Sequence, residues 1–286
     1  MYLADKLVLE YKQQYDWHES FYIPEITTRL WDDKTGVDVT YAEETVTVHD
    51  TITYRKLMPG TRYKVESRLV DMETGETLLD VNGSPVVRET IKNVTLADGE
   101  ITVDFEFPAV IRDDKGDIVK SLAGTIFVCY EKIYIEQGEE GSRKWVLVAD
   151  HEDFWDESQR IYMPYIDTTA LDQKTEEHIS YAEKDMKIYD TVHYEAVRPE
   201  YTYKLVSELR DTATGEIVVD NAGKKQVITT YFKADFDLQD NQYLTYGDVI
   251  PENHEGSGMT FDVDAEIFAG RTLVVYERMY LENGYG

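Results

Sequence analysis

Thr28, Asp50, Glu131, His151 and Gln159 are five side chains that together could carry out acyl transfer. A threonine hydroxyl is a poor nucleophile until a base such as imidazole takes its proton, and a glutamine carboxamide offers a carbonyl with a leaving group. Attack of the Thr28 hydroxyl on the Gln159 carboxamide passes through an oxyanion that a protonated carboxyl pair stabilises. It then expels ammonia and leaves an ester between side chains. Two unpaired carboxylates in a dry core are costly, and sharing a proton turns the pair into a donor. Dryness also protects the product, because water in the same geometry would hydrolyse it.

These residues can meet only if strands point them inward, and side chains two apart on a strand share a face. In ETVTVHDTITY the apolar row is Val46, Val48, Ile52 and Tyr54, with Asp50 in its middle. Glu131 falls in line with Phe127, Cys129, Ile133 and Ile135, and Thr28 lies between Ile26 and Leu30. His151 continues a row of Trp145, Leu147 and Ala149, while Gln159 is in register with Ile161 and Met163. Adjacent first and last strands would bring Thr28 to Gln159, with His151, Asp50 and Glu131 around them. Taken singly, each position has about one chance in ten of doing chemistry, since a buried Thr, Asp or Glu is more often a structural link. Their joint occurrence, partly duplicated within the chain, raises that well above even. His49 and His193 alternate onto the outer face and read as ordinary surface histidines.

The duplication has a period of 140 residues, and internal repeats decide organisation before local structure does. PEITTRLWDDKTG (24–36) lies over PYIDTTALDQKTE (164–176), and YAEETVTVHDTITY (41–54) over YAEKDMKIYDTVHY (181–194). An insertion near YLTYGDVIPENHEGSG shifts the register, which recovers at AGTIFVCYEKIYIE (123–136) over AGRTLVVYERMYLE (269–282). The second copy thereby repeats the inward trio as Thr168, Asp190 and Glu277. Short alternating runs of Val, Ile, Thr and Tyr, broken by TGE, DG and NG clusters, read as antiparallel sheets with one wet face. The expected fold is all-β: two tandem Ig-like antiparallel β-sandwich domains.

Composition narrows the function. Asp plus Glu outnumber Lys plus Arg by 57 to 29, so a net charge of −28 repels nucleic-acid backbones and anionic membrane surfaces. The single cysteine, Cys129, forms no internal disulfide, and as Val275 replaces it in the second copy it reads as core filler rather than a thioester partner. WDD, EQGEEGS and ENHEG are acidic but lack EF-hand spacing, so neither a metal nor a cofactor is expected. The N-terminus has no basic and apolar leader, and no window approaches a membrane span.

Four ordered elements now carry a resemblance: the first strands ITTRL and IDTTA, the DTITY and DTVHY strands, VCYE and VVYE, and HEDFWDESQ. From Pro24 onward the sequence resembles the Thr–Gln ester-bond domains, also called VaFE repeats, found in tandem in cell-wall-anchored adhesins of Gram-positive bacteria. The resemblance implies CnaB-like sandwiches, with Thr28 and Gln159 bonded, and His151, Asp50 and Glu131 as promoters. It also implies an extracellular stalk, anchored in the cell wall through its parent protein, that meets a host ligand only through a distal tip. Its partners are then neighbouring repeats, and its chemistry is a single self-directed turnover rather than enzymatic. The domains read as 24–163 and 164–286, with residues 1–23 resembling the tail of a preceding repeat because DWHESFYIP aligns with DESQRIYMP. There the counterparts of Gln159 and His151 are Glu19 and Tyr11, so no ester is expected from that tail. The second copy ends at LENGYG without a matching His or Gln, which leaves strand complementation of repeat 2 as an open question.

Two rival readings accompany this one. A carbohydrate- or protein-binding sandwich would use exposed aromatics such as Trp31 and Trp155. A glycosidase would need two carboxylates facing an open cleft.

Overall fold

A computed structural model describes residues 10, 12, 19–220, 222–233, 246–249 and 259–282. Tyr11, most of the N-terminal tail and the ENHEG cluster lie outside the described residues. Repeat 1 contains β1 (Glu25–Asp32), β2 (Val46–Arg55), β3 (Thr61–Asp71), β4 (Val87–Val94) and β5 (Gly99–Phe107). It continues through β6 (Val110–Arg112), β7 (Ile118–Ser121), β8 (Thr125–Gln137), β9 (Lys144–His151) and β10 (Arg160–Met163). Repeat 2 contains β11 (Tyr165–Asp172), β12 (Met186–Glu195), β13 (Thr202–Asp211), β14 (Val227–Lys233), β15 (Tyr246–Val249), β16 (Thr260–Val263) and β17 (Leu273–Leu281). No helix among the described residues is long and apolar enough to cross a membrane.

The alternation in sequence becomes alternation in burial: β1 and β2 bury every second residue, and so do β5 and β13. One sheet of repeat 1 runs β1-β2-β5; the other runs β4-β3-β8, with both β9 and β10 on the remaining edge of β8. The core between them is built from residues such as Leu30, Val48, Ile52, Leu69, Phe105 and Phe127, all at most 1% exposed. In repeat 2 the sheets are β11-β12 with β15 and β16 pairing successive stretches of β12, and β14-β13-β17. Residues 250–259 lie between β15 and β16, so the insertion read from sequence divides the counterpart of β5 in two. The loop after each first strand is held by one aspartate: Asp32 accepts from the Lys34 and Thr35 amides and the Thr40 hydroxyl, and Asp172 does the same with Lys174, Thr175 and Ser180. That clamp accounts for the repeated D-x-K-T.

One expectation is refined and two change. First, β1 and β10 are adjacent as expected, but as edge strands of opposite sheets, which meet where the sandwich closes on that side. Second, the inward row of β9 is broken by a register shift opposite Ile133 and Tyr134, so Leu147 is 45% exposed although Ala149 and His151 remain half-buried. Third, Trp31 is only half-exposed; its indole N–H donates to Thr51 Oγ1 and its ring lies 4.3 Å from that of His49, whereas Trp155 is 56% exposed.

The repeats touch through a polar clamp. Asp38, in the loop after β1, accepts from Arg198 Nε at 2.7 Å and from the Tyr201 hydroxyl at 2.8 Å, both from repeat 2. Beneath it Tyr162 packs with Val37, Val39 and Ala196 in a buried cluster.

Candidate acyl-transfer site

Thr28 comes from β1, Asp50 from β2, Glu131 from β8 and His151 from the end of β9. Gln159 does not sit on a strand, as its register with Ile161 suggested, but ends a 3-10 turn, Glu157–Gln159, that feeds β10. The DESQ sequence makes that turn: Asp156 Oδ1 accepts from the Ser158 amide at 2.9 Å, an Asx cap. β8 organises the rest. His151 stands opposite Glu131 on β9, and Arg160 opposite Val128 on β10, so the turn crosses the gap between two strands that share one edge. The Ser158 hydroxyl, 2.9 Å from the Thr28 carbonyl oxygen, pins the turn to β1.

Asp50, Glu131 and Gln159 therefore lie together in the core, with His151 paired opposite Glu131 and half-buried, and with the backbone of Thr28 bonded to the turn that carries Gln159. Asp50, Glu131 and Gln159 are fully buried and Thr28 is 7% exposed. Gln159 Nε2 donates to Glu131 Oε2 at 2.6 Å, and Ser67 Oγ donates to Asp50 Oδ2 at 3.4 Å. Thr28 Oγ1, Gln159 Oε1, His151 Nδ1, Asp50 Oδ1 and Glu131 Oε1 are buried with no hydrogen-bond partner among the described residues. A folded domain normally pairs such atoms, at a cost of about 1–3 kcal/mol for each one left over. A proton shared by Asp50 and Glu131 partners two of these atoms, and the three left over, on Thr28, His151 and Gln159, mark a site arranged for something other than stability.

Burial pushes the Asp50 carboxyl up to about 7. It raises Glu131 well above the usual carboxylate range, and the charge of Asp50 adds to that rise. The pair thus keeps a proton at neutral pH. Cys129, fully buried between them, is pushed up by the same burial and stays a thiol. Asp50, Cys129 and Glu131 place ligand atoms within 4.8 Å of one another, a possible metal triad. Val275 replaces the sulfur in repeat 2, and Gln159 already engages one Glu131 oxygen, so the trio fits a proton better than an ion. Since both carboxyls are fully buried, the open cleft that a glycosidase requires is not formed between them.

These raised pKa values set a pH dependence. A carboxyl favoured in its neutral form by the fold stabilises fully below its unfolded pKa, and that stabilisation is lost as pH rises through the folded one. For Asp50 the window runs from the ordinary 3.8 to about 7. A Thr28→Ala chain, whose repeat 1 is free to unfold, is expected to lose melting temperature steadily from pH 4 to 7. Adding Asp50→Asn should lessen that slope, and replacing both carboxyls, Asp50→Asn with Glu131→Gln, should flatten it, as scanning calorimetry at several pH values would register.

The sequence reading missed Asp156, Ser158 and Ser67. Asp156 Oδ2 lies 3.3 Å from His151 Nε2, while its Oδ1 takes the Ser158 amide. One carboxylate therefore holds both the imidazole and the turn that presents the carboxamide. The signal was there, since Asp156 followed three residues later by Gln159 is the pattern of a capped turn.

In repeat 2, Thr168 Oγ1 donates to Glu277 Oε2 at 3.2 Å, occupying the oxygen that Gln159 takes in repeat 1. Asp190 is fully buried and pushed up to about 8 by that burial, with the charge of the neighbouring Glu277 adding to the rise. Thr168 and Glu277 are only half-buried, so repeat 2 assembles the trio without enclosing it.

Fold and site together define an Ig-like sandwich built around a Thr, Asp and Glu core, present twice. The profile of the T-Q ester bond containing domain matches residues 24–163 and 164–286, and the chain belongs to that family. Among solved structures, the chain is similar to a bacterial adhesin from Mobiluncus mulieris described as containing intramolecular disulfide, isopeptide and ester bond cross-links. The identity is 16% and the TM-score 0.39, over 80% of this chain and 77% of that one. A second crystal form of that adhesin gives 16% identity and a TM-score of 0.38, over 89% and 80%. Likeness this distant adds nothing to the assignment. No curated protein matches the chain.

Proposed function

We propose that repeat 1 closes an intramolecular ester between Thr28 and Gln159 by its own chemistry, and that the chain is a hardened stalk segment of a bacterial surface adhesin, anchored to the cell wall through its parent. The observation that carries this reading is the Gln159 carboxamide: buried, its nitrogen 2.6 Å from Glu131 and its oxygen without a partner among the described residues, on a turn tied to the backbone of Thr28.

His151, its Nε2 facing Asp156, takes the Thr28 proton at Nδ1. Thr28 Oγ1 then attacks Gln159 Cδ and the carbonyl electrons move to Oε1. Collapse breaks the Cδ–Nε2 bond. Glu131, holding the shared proton, gives it to the departing nitrogen, ammonia leaves, and the imidazolium proton returns to the carboxyl pair. The net change is one hydroxyl hydrogen transferred to ammonia and one C–O bond made for one C–N bond broken. In this arrangement Glu131 serves the leaving group rather than the oxyanion, because the amide nitrogen is the atom that faces it. The reaction runs once per domain and does not turn over. Exclusion of water, which the complete burial of Glu131 and Gln159 supports, keeps the ester from hydrolysis.

Intact-mass spectrometry tests the bond. The wild-type chain is expected to weigh about 17 Da less than its sequence, one ammonia for one ester, and Gln159→Ala to show no deficit beyond the substitution. A wild-type mass with no deficit would refute it. Two deficits would mean that repeat 2 also closes.

A further inference from the structure

The turn that carries Gln159 is held from three directions, and one of them is repeat 2. The Asp156 cap shapes the turn, and the Ser158 hydroxyl ties it to β1. The third hold is Arg198, in the loop between β12 and β13. Its Nη2 lies 3.5 Å from Oε2 of Glu157, the first residue of the turn, while its Nε donates to Asp38 Oδ2 at 2.7 Å. The guanidinium also sits over the ring of Tyr162, 5.5 Å from its centre. One cation from repeat 2 thus bridges the loop after β1, the reactive turn and β10.

These contacts are sheltered and interlocked. The Arg198 and Asp38 side chains are 15% and 17% exposed, so solvent screens the pair little. The Tyr162 amide donates to the Asp38 carbonyl at 3.0 Å, so the residue that grips repeat 2 by its side chain grips β10 by its backbone. Phe154, from the stretch leading into the turn, and Tyr201, from repeat 2, pack on the same buried cluster as Tyr162. Repeat 1 carries Met58 and Thr61 at the positions of Arg198 and Tyr201, so the repeat fold itself requires neither. Removing the guanidinium would leave Asp38 and Glu157 as two carboxylates without their shared cation, and their repulsion would push on the turn. Acyl transfer tolerates such a push badly, since a misplacement of about 1 Å costs on the order of a hundredfold in rate.

We infer that Arg198 of repeat 2 is a positioning residue for the chemistry of repeat 1: docking of the second repeat fixes the turn that presents the Gln159 carboxamide, so closure of one repeat is timed by folding of the next. The timing rests on the proposed ester; the hold on the turn does not.

Two measurements on the full chain test the two parts. The Gln159 and Arg160 amides donate to the Asp156 and Glu157 carbonyls within the turn, and their hydrogen exchange reports how firmly it is held. In a Thr28→Ala background, where no ester can form, Arg198→Ala is expected to speed that exchange about tenfold. Glu157→Gln should give much of the same effect and the two together little more, because both remove one contact; a residue acting only through Asp38 would give additive effects. For the timing, chains with Thr28 in place are made by cell-free synthesis, quenched in acid at intervals and weighed. The fraction lighter by about 17 Da is expected to grow about tenfold more slowly in Arg198→Ala than in wild type, with Arg198→Lys recovering part of the rate. Unchanged or additive exchange, or closure as fast in Arg198→Ala as in wild type, overturns the inference. A wild type that never loses ammonia refutes the ester instead, and exchange still decides whether repeat 2 holds the turn.

Discussion

Thr28→Ala is expected to lower the unfolding free energy of repeat 1 by about 5 kcal/mol, the chain-entropy value for opening a crosslinked loop of roughly 130 residues. Over a domain of this length that corresponds to a fall in melting temperature of about 15 °C. The substitution itself removes little else. The Thr28 hydroxyl makes no hydrogen bond among the described residues, and the methyl it takes away is small against a core of some twenty side chains. Nearly all of the loss is then attributable to the bond. Denaturant unfolding followed by tryptophan fluorescence measures it, because all four tryptophans lie at or before Trp155 and so report on repeat 1 or the tail. Thr28→Ser, which keeps a hydroxyl at the same place, should recover most of the difference. Equal stability of wild type and Thr28→Ala would mean that the two side chains are not joined.

The second large effect is mechanical. Pulled from its termini, the wild-type chain is expected to release length only from repeat 2 and the tail, since force entering at β1 passes through Thr28 and Gln159 into β10 and on to β11. The strands between those residues carry none of it. In Thr28→Ala the same pull should add an unfolding step of roughly 400 Å, from about 130 residues at 3.4 Å each. Repeat 2 unfolds in both chains and serves as the internal standard. A wild-type trace with two long steps would place repeat 1 outside the covalent path.

The residues of the site were easier to read from sequence than their arrangement. Period-two alternation fixes which side chains face inward, so Thr28, Asp50 and Glu131 could be placed in the core from apolar neighbours alone, and the second copy guarded against a misread strand. Which strands lie side by side is a non-local matter that alternation does not encode. β1 and β10 accordingly proved to be edges of facing sheets rather than neighbours in one. Gln159 was given the right destination by the wrong route: a four-residue strand preceded by a short 3-10 turn carries too few residues to show a period. The bulge that turns Leu147 to solvent was hidden for the same reason, because one extra residue in a strand leaves no mark on composition. Asp156 was passed over because in an acidic stretch one carboxylate looks like the next. Its role becomes visible only when His151 is seen on one side of it and Ser158 on the other.

The carboxamide stands almost at the end of its repeat, on the turn before β10. On the proposed chemistry a ribosome therefore delivers the nucleophile first and the electrophile last, with the whole sandwich between them. A partly made or misthreaded repeat would then not be sealed, because the seal would wait for the final turn to dock on a finished core. Closure of this kind would be an inspection stamp as well as a weld, and newly emerging repeats would stay pliable until the moment they pass it.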